Sequence, residues 1–188
     1  MYNNYKKMKH IILDLDETIV HISSKPSSQD EFQFQIGSHT YYGMKRTGLD
    51  AFLRQIFSCF QTVSIWTAAT RDYADHVIAA VFTDRQRRKL NFLYTRSKLK
   101  VEKNGIYSKP LRKIFTTPDA KKIGMTRWNT IMIDDREVIF KNNKGNGIVI
   151  KPWVRQSNDQ ELYHLTKLLK QMCKMRVKLT SAKRPFIL

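Results

Sequence analysis

The chain turns on His10-Ile-Ile-Leu-Asp-Leu-Asp-Glu-Thr-Ile-Val20, which runs into His21. An apolar run at 11–13 gives way to two carboxylates, Asp14 and Asp16, before apolar residues resume at Ile19 and Val20. Short apolar runs closed off by polar residues mark the buried strands of a mostly parallel sheet, whose two faces are both covered. Ligands bind such sheets just beyond the carboxyl ends of the strands, so Asp14 and Asp16 are expected at the mouth of a site. Two carboxylates two positions apart in a strand point to one face. They repel each other unless a cation lies between them or one keeps its proton. That arrangement is costly for a purely structural role and suits a magnesium site holding a nucleophile and a proton donor.

Outward from this stretch, residues 1–9 read as a short basic tail, and 21–30, rich in Ser with Pro26, as a loop. Phe32, Phe34 and Ile36 alternate with Gln33 and Gln35, the period of a half-buried strand ended by Gly37, and 40–46 reads as its hairpin partner. This pair is expected to form a small antiparallel β insert beside the site, with no large cap domain. Leu49, Phe52, Leu53, Ile56 and Phe57 predict an amphipathic helix, and the apolar run 61–66, ending at Thr67, leads to a second helix over 71–82. The alternation predicts an α/β fold: a Rossmann-like parallel sheet flanked by helices, with right-handed crossovers.

Farther on, 92–94 reads as a short strand, 98–105 as a hairpin turning at Asn104-Gly105, and 111–115 as a short helix or turn after Lys109 and Pro110. Residues 130–133 and 147–150 read as further core strands, the first ending in Asp134-Asp135. Leu162, Leu165, Leu168, Leu169 and Met172 mark the inner face of a closing helix over 160–172. One domain over 10–172 is expected, with 173–188 as a basic tail. At 188 residues the chain is long enough for one well-cored domain and too short for two large ones.

The formal net charge is +18, far beyond what solubility requires, and it predicts attraction to polyanions: nucleic acid, acidic phosphopeptides or anionic membrane surfaces. With 41% hydrophobic residues the chain is expected to fold rather than stay disordered. Cys59 and Cys173 do not make a disulfide framework, which points to a reducing, intracellular compartment, nuclear or cytoplasmic, or to a virion if a virus encodes the chain. Cys59, within Phe57-Ser-Cys-Phe60, reads as a core residue. No apolar stretch follows the charges of residues 1–9, so no signal peptide is expected, and no run approaches the length of a membrane span.

Three features share one placement. Asp14 and Asp16 follow one predicted strand, Thr67 a second, and Asp134 and Asp135 a third, with Lys109 in a polar loop between the last two. Any one of these has a bland explanation: a surface turn, a helix cap or a solvated lysine. Together, at strand ends, they are the parts for phosphoryl transfer with magnesium: hard oxygen ligands, a carboxylate nucleophile, and a lysine and a hydroxyl for the phosphate oxygens.

Asp14-Leu-Asp-Glu-Thr-Ile-Val-His21 resembles the first signature of the haloacid-dehalogenase superfamily, and more narrowly that of the RNA polymerase II C-terminal-domain phosphatases and NLI-interacting-factor-like phosphatases. Trp66-Thr-Ala-Ala-Thr-Arg-Asp-Tyr-Ala-Asp75 is similar to that branch's second signature, Lys109 to its phosphate-binding lysine, and Ile131-Met-Ile-Asp-Asp135 to its acidic fourth signature. Arg46-Thr-Gly-Leu-Asp-Ala-Phe-Leu53 resembles the Arg-Pro-Gly segment, with Thr47 in place of proline. Val154-Arg-Gln-Ser157 stands where the branch often has an acidic stretch. The resemblance implies a Mg2+-dependent phosphoserine/phosphothreonine protein phosphatase. In that reading Asp14 attacks phosphorus, and Asp16 protonates the leaving oxygen and then activates water. Asp14, the Asp16 backbone carbonyl, and Asp134 or Asp135 hold the metal. Thr67 and Lys109 bind phosphate, and Tyr73 and Arg96 contact substrate. The implied partner is a phosphorylated protein, the RNA polymerase II C-terminal domain being one candidate; oligomeric state stays open.

Arg85-Gln-Arg-Arg-Lys89 with Arg96, Lys98, Lys100 and Lys103 forms one basic cluster, and Lys174, Arg176, Lys178, Lys183 and Arg184 a second. They read as a solvated face, as a field that steers an acidic substrate, or as a non-specific nucleic-acid surface. Two rival functions follow: a scaffold that reuses the fold within a larger assembly, and a phosphatase for nucleic-acid ends.

Overall fold

The computed structural model describes residues 8–174 apart from 103, 104 and 144. Its elements are β1 (His10–Leu13), β2 (Val20–Ser23), β3 (Phe32–Ile36), β4 (His39–Lys45), α1 (Leu49–Cys59), β5 (Thr62–Trp66), α2 (Arg71–Val81), α3 (Asp84–Arg87) and β6 (Leu90–Tyr94). There follow β7 (Lys100–Val101), β8 (Tyr107–Ser108), α4 (Leu111–Phe115), α5 (Pro118–Lys122), β9 (Thr130–Asp134), β10 (Gly147–Val149) and α6 (Glu161–Lys174).

Five parallel strands form the main sheet in the order β10-β9-β1-β5-β6. The chain runs from β1 out to β5 and β6, then returns to lay β9 and β10 on the other side of β1. The strand order therefore reverses at β1, and a crevice forms where it does. Period-two alternation splits each apolar run between two cores. Ile11, Leu13, Val63, Ile65, Ile131 and Ile133 pack with Leu53, Val77 and Leu165 of α1, α2 and α6. Ile12, Trp66 and Met132 point the other way, onto Leu111, Ile114 and Ala120 of α4 and α5. This is the expected α/β sheet flanked by helices. β6 supplies its fifth strand, beginning two residues before the predicted one.

The insert is a three-stranded antiparallel sheet, β2-β4-β3, beside the main one. The loop expected over 21–30 begins later than its composition suggests: 21–23 belong to β2, paired Val20 to Lys45 and Ser23 to Tyr42. Two apolar residues, Val20 and Ile22, are too few to show a period, and the pairing with β4 decides the matter. Gly43 allows the close approach: a Cβ there would collide with the ring of Phe32 and with Ile22. The hairpin expected over 98–105 has its strands later, at β7 and β8, because 96–98 form a 3-10 turn; Lys103 and Asn104 of its turn lie outside the described residues. Cys59 is half-buried rather than in the core, and Cys173 is buried. The packed body takes in Met8, which is fully buried, and Lys9, whose carbonyl accepts the N–H of Gln61. Of the second basic cluster, residues 176–184 lie outside the described residues.

His10 opens β1 inside this body, with Nδ1 2.9 Å from Thr62 Oγ1. Burial pushes its pKa down to about 4. An unfolded histidine protonates near 6.5, so the stability that neutral His10 confers is complete above that pH and is lost as pH falls toward 4. The stability difference between the wild type and His10→Gln, from urea unfolding, is expected to narrow by about 2–3 kcal/mol between about pH 7 and pH 4. A constant difference would refute this.

Candidate active site

The strand register brings three chain segments to one level. Leu13 pairs with Ile65 of β5 and with Ile133 of β9, so the residues just after β1 stand beside the ends of both neighbours. The Asp14 N–H donates to the Ile133 carbonyl at 3.0 Å, and the Thr67 N–H to Tyr94 at 2.9 Å. Extended pairing stops there. The Leu15 carbonyl accepts the Ile19 N–H at 2.8 Å, and Glu17 adopts a left-handed φ of 55°, a conformation that costs a side-chain-bearing residue about 1 kcal/mol and often marks a functional turn. Asp14 thus ends the extended stretch, and Asp16 stands inside the tight turn that follows rather than in the strand. Buried Leu15 lies between them.

Their surroundings differ accordingly. Asp14 is buried, and its Oδ1 accepts the Lys109 ammonium at 2.6 Å. The same ammonium donates to Asp134 Oδ2 at 2.7 Å, and Asp134, fully buried, accepts the Arg136 N–H on its other oxygen at 2.9 Å. Asp16 is half-buried and accepts the Tyr73 hydroxyl at 2.7 Å. One carboxylate oxygen from each of Asp14, Asp134 and Asp135 lies within 4.8 Å of the others. Such an all-oxygen set suits a hard divalent cation. The Asp16 carboxylate is outside it.

Burial governs the electrostatics. It pushes the Asp14 carboxyl up to about 8 against the pull of Lys109, with Asp134 adding to the push. It raises Asp16 against the hydrogen bond from Tyr73, raises Asp135 beside Asp134, and carries Glu17 up to about 7 with Asp16 and Asp135 near it. Burial alone would lower Lys109, but Asp14 and Asp134 hold it above the ordinary lysine value. Two carboxylates share one ammonium and Asp135 stands beside them, so the group ionises fully only if a further positive charge joins it, which makes this a seat for a cation.

Thr67 is buried at the end of β5, and its hydroxyl accepts the Ala69 N–H at 3.1 Å. Arg96 is exposed and borders the same loop: its Nε donates to the Ala68 carbonyl and its N–H to Ala69, both at 2.9 Å. Tyr73 meets Asp16 with its hydroxyl while its ring stands edge-on to Phe34 and Tyr41 of the insert, at 5.4 and 5.5 Å. All the residues singled out in the sequence therefore gather at one end of the sheet, Arg96 at the rim.

Three supports carried no local signal. The Thr18 hydroxyl accepts the Asp135 N–H at 3.1 Å and reaches Asp135 Oδ1 at 3.4 Å, joining the turn after β1 to the end of β9. Buried Asn143 donates to the Lys109 carbonyl at 2.7 Å and accepts the Leu111 N–H at 3.0 Å, spanning Pro110, which has no N–H of its own. Arg46, 1% exposed, grips both oxygens of Asp159 at 2.8 Å and donates to the carbonyls of Thr18 at 3.0 Å and Lys151 at 2.9 Å. Thr18 and Arg46 do sit inside the quoted motifs, but partners more than 100 residues away cannot be read from there.

Comparison with known proteins places this geometry. The family model of the NLI interacting factor-like phosphatases matches residues 9–179. A Dictyostelium discoideum protein named "Probable C-terminal domain small phosphatase" is 31% identical over 172 residues, 89% of this chain and 52% of that protein. A CTD phosphatase-like protein of Invertebrate iridescent virus 6 is 29% identical over 82% of this chain and 91% of its own length. The chain thus spans about half of the Dictyostelium protein and nearly all of the viral one. The structure of Fcp1, an RNA polymerase II CTD phosphatase, superposes with a TM-score of 0.57 and 22% identity over 89% of this chain and 48% of that one. That likeness concerns the fold, an α/β sheet of the haloacid-dehalogenase kind.

Proposed function

The chain belongs to the NLI interacting factor-like phosphatase family, and from that premise we propose that it is a magnesium-dependent phosphoserine/phosphothreonine protein phosphatase with Asp14 as nucleophile. The observation that carries the reading is the buried contact of Asp14 with Lys109, with Asp134 and Asp135 close by and Asp16 at the mouth.

Asp14 attacks the phosphorus of a phosphoserine or phosphothreonine, forming an acyl phosphate as the bond to the side-chain oxygen breaks. Asp16, whose hold on its proton burial strengthens, gives that proton to the oxygen and then takes one from the water that hydrolyses the acyl phosphate. Tyr73 holds Asp16 in place through its hydroxyl. Lys109 and the hydroxyl and loop amides around Thr67 balance the charge on the phosphoryl oxygens. Asp14 and Asp134 or Asp135 would hold the divalent cation, with the Asp16 carbonyl, and it would supply positive charge that favours ionised Asp14 and neutralises phosphate. The oxygen-only donor set fits magnesium. The exposed Arg96 and the aromatic groups of the insert border the substrate's path. Among the described residues no helix is long and apolar enough to cross a membrane.

Purified protein is expected to release phosphate from phosphoserine peptides when magnesium is present, to stop in EDTA, and to recover on addition of excess magnesium. It is expected to leave a 3′-phosphorylated oligonucleotide untouched. Hydrolysis of the oligonucleotide alone would favour the nucleic-acid-end reading, and no hydrolysis of either the scaffold.

A further inference from the structure

An open cleft between α1, the end of α2 and α3 takes no part in the chemistry above and shares no lining residue with the Asp14 site. Its volume is about 720 Å³. Lys45, Arg54, Arg85 and Lys89 line it, with Asp50 as the one carboxylate. Among the described residues none of these four cations forms a salt bridge, whereas nearby Arg87 is neutralised by Asp84. The basic run Arg85-Gln-Arg-Arg-Lys89 is thus divided: its first and last members, on α3 and in the turn after it, line the cleft, and Arg87 is paired internally. The floor between the cations is apolar, formed by Phe57, Ala80 and Phe82.

We propose that this cleft is a docking groove for an acidic peptide segment of a protein partner, one that carries an apolar side chain among its carboxylates. Unpaired cations around one wall concentrate such a segment. Single exposed ion pairs contribute little, so several must act together and salt must weaken them. The apolar floor gives the position its specificity. It also favours a peptide over single-stranded nucleic acid, which needs open ring faces for stacking. Phe82 is buried, and its ring meets Phe57 edge-on at 6.3 Å, so at most the one half-buried ring of Phe57 is left for a base, too few to stack successive bases.

The test is fluorescence anisotropy on the full chain with a labelled, unphosphorylated peptide of Asp and Glu around one Leu. Arg54→Glu/Arg85→Glu is expected to weaken binding by at least about tenfold, and so is replacing the peptide's Leu by Ser. Lys113→Glu/Lys121→Glu makes the same change in net charge elsewhere and is expected to keep the affinity within about twofold. Both variants are expected to hydrolyse an aryl phosphate as the wild type does and to keep its circular dichroism. Equal losses in the two variants, or none in the cleft variant, would overturn the proposal. So would an unlabelled oligothymidylate that binds more tightly than the peptide and loses that binding in the cleft variant alone, since the groove would then belong to nucleic acid.

Discussion

Asp14→Asn lowers kcat for a phosphoserine peptide by at least about 10⁴-fold while leaving the protein folded. An amide nitrogen or oxygen does not displace a serine alkoxide from phosphorus, so no acyl phosphate forms and only unassisted attack by water remains. Stability behaves differently because of the local charge count. In the wild type two buried carboxylates, Asp14 and Asp134, share the one ammonium of Lys109. The substitution leaves Lys109 and Asp134 as a one-to-one pair. In EDTA the melting temperature is therefore expected to equal or exceed that of the wild type, and the rise produced by magnesium is expected to shrink, because a neutral amide oxygen replaces a charged carboxylate oxygen. Steady-state kinetics and thermal unfolding with and without magnesium check both halves. Turnover within about tenfold of the wild type would remove Asp14 from its place as nucleophile.

Arg46→Met is the costliest single change expected for stability, about 3–5 kcal/mol in urea unfolding. The side chain it replaces is buried and bonded at both ends, and methionine of similar length fills the space without donating to anything. Asp159, with only 6% of its side chain exposed, is left charged without its partner, and the carbonyls of Thr18 and Lys151 lose their donors. The double variant Arg46→Met/Asp159→Leu is expected to recover part of the loss, because the penalty lies mainly in the stranded carboxylate. A loss below about 1 kcal/mol would mean that water reaches Asp159 easily and that the clamp is not needed. The same pair ties the turn holding Thr18 to the segment before α6. The family resemblance drew attention to Arg46 as a motif residue, whereas its physical task is to join three distant pieces of backbone.

Much of the architecture is legible in short windows. The runs at 11–13, 61–66 and 130–133 are mostly apolar because each strand is covered on both faces by helices. The spacing of Leu49, Phe52, Leu53 and Ile56 matches the side of α1 that faces the sheet. Less legible are elements whose cause lies elsewhere in the chain. β2 exists through its ladder with β4, and a window containing Val20 and Ile22 holds too little pattern to show it. Asp14 and Asp16 look equivalent in the motif. The strand ends at the first and the chain turns at the second, so one meets Lys109 and the other the Tyr73 hydroxyl.

From its sequence alone this chain declares a parallel α/β sheet with Asp14, Thr67 and Asp134-Asp135 at the carboxyl ends of strands, since strand length, period and order are properties of neighbouring residues. Tertiary structure alone decides which acid meets which base: Lys109 with Asp14 and Asp134, Arg46 with Asp159, Thr18 with Asp135. Ionic and hydrogen-bonding groups look alike in a sequence whichever partner they will find. Only the folded sheet, by bringing residues 25 to 117 positions apart within bonding distance, makes one choice of partners cheaper than the rest.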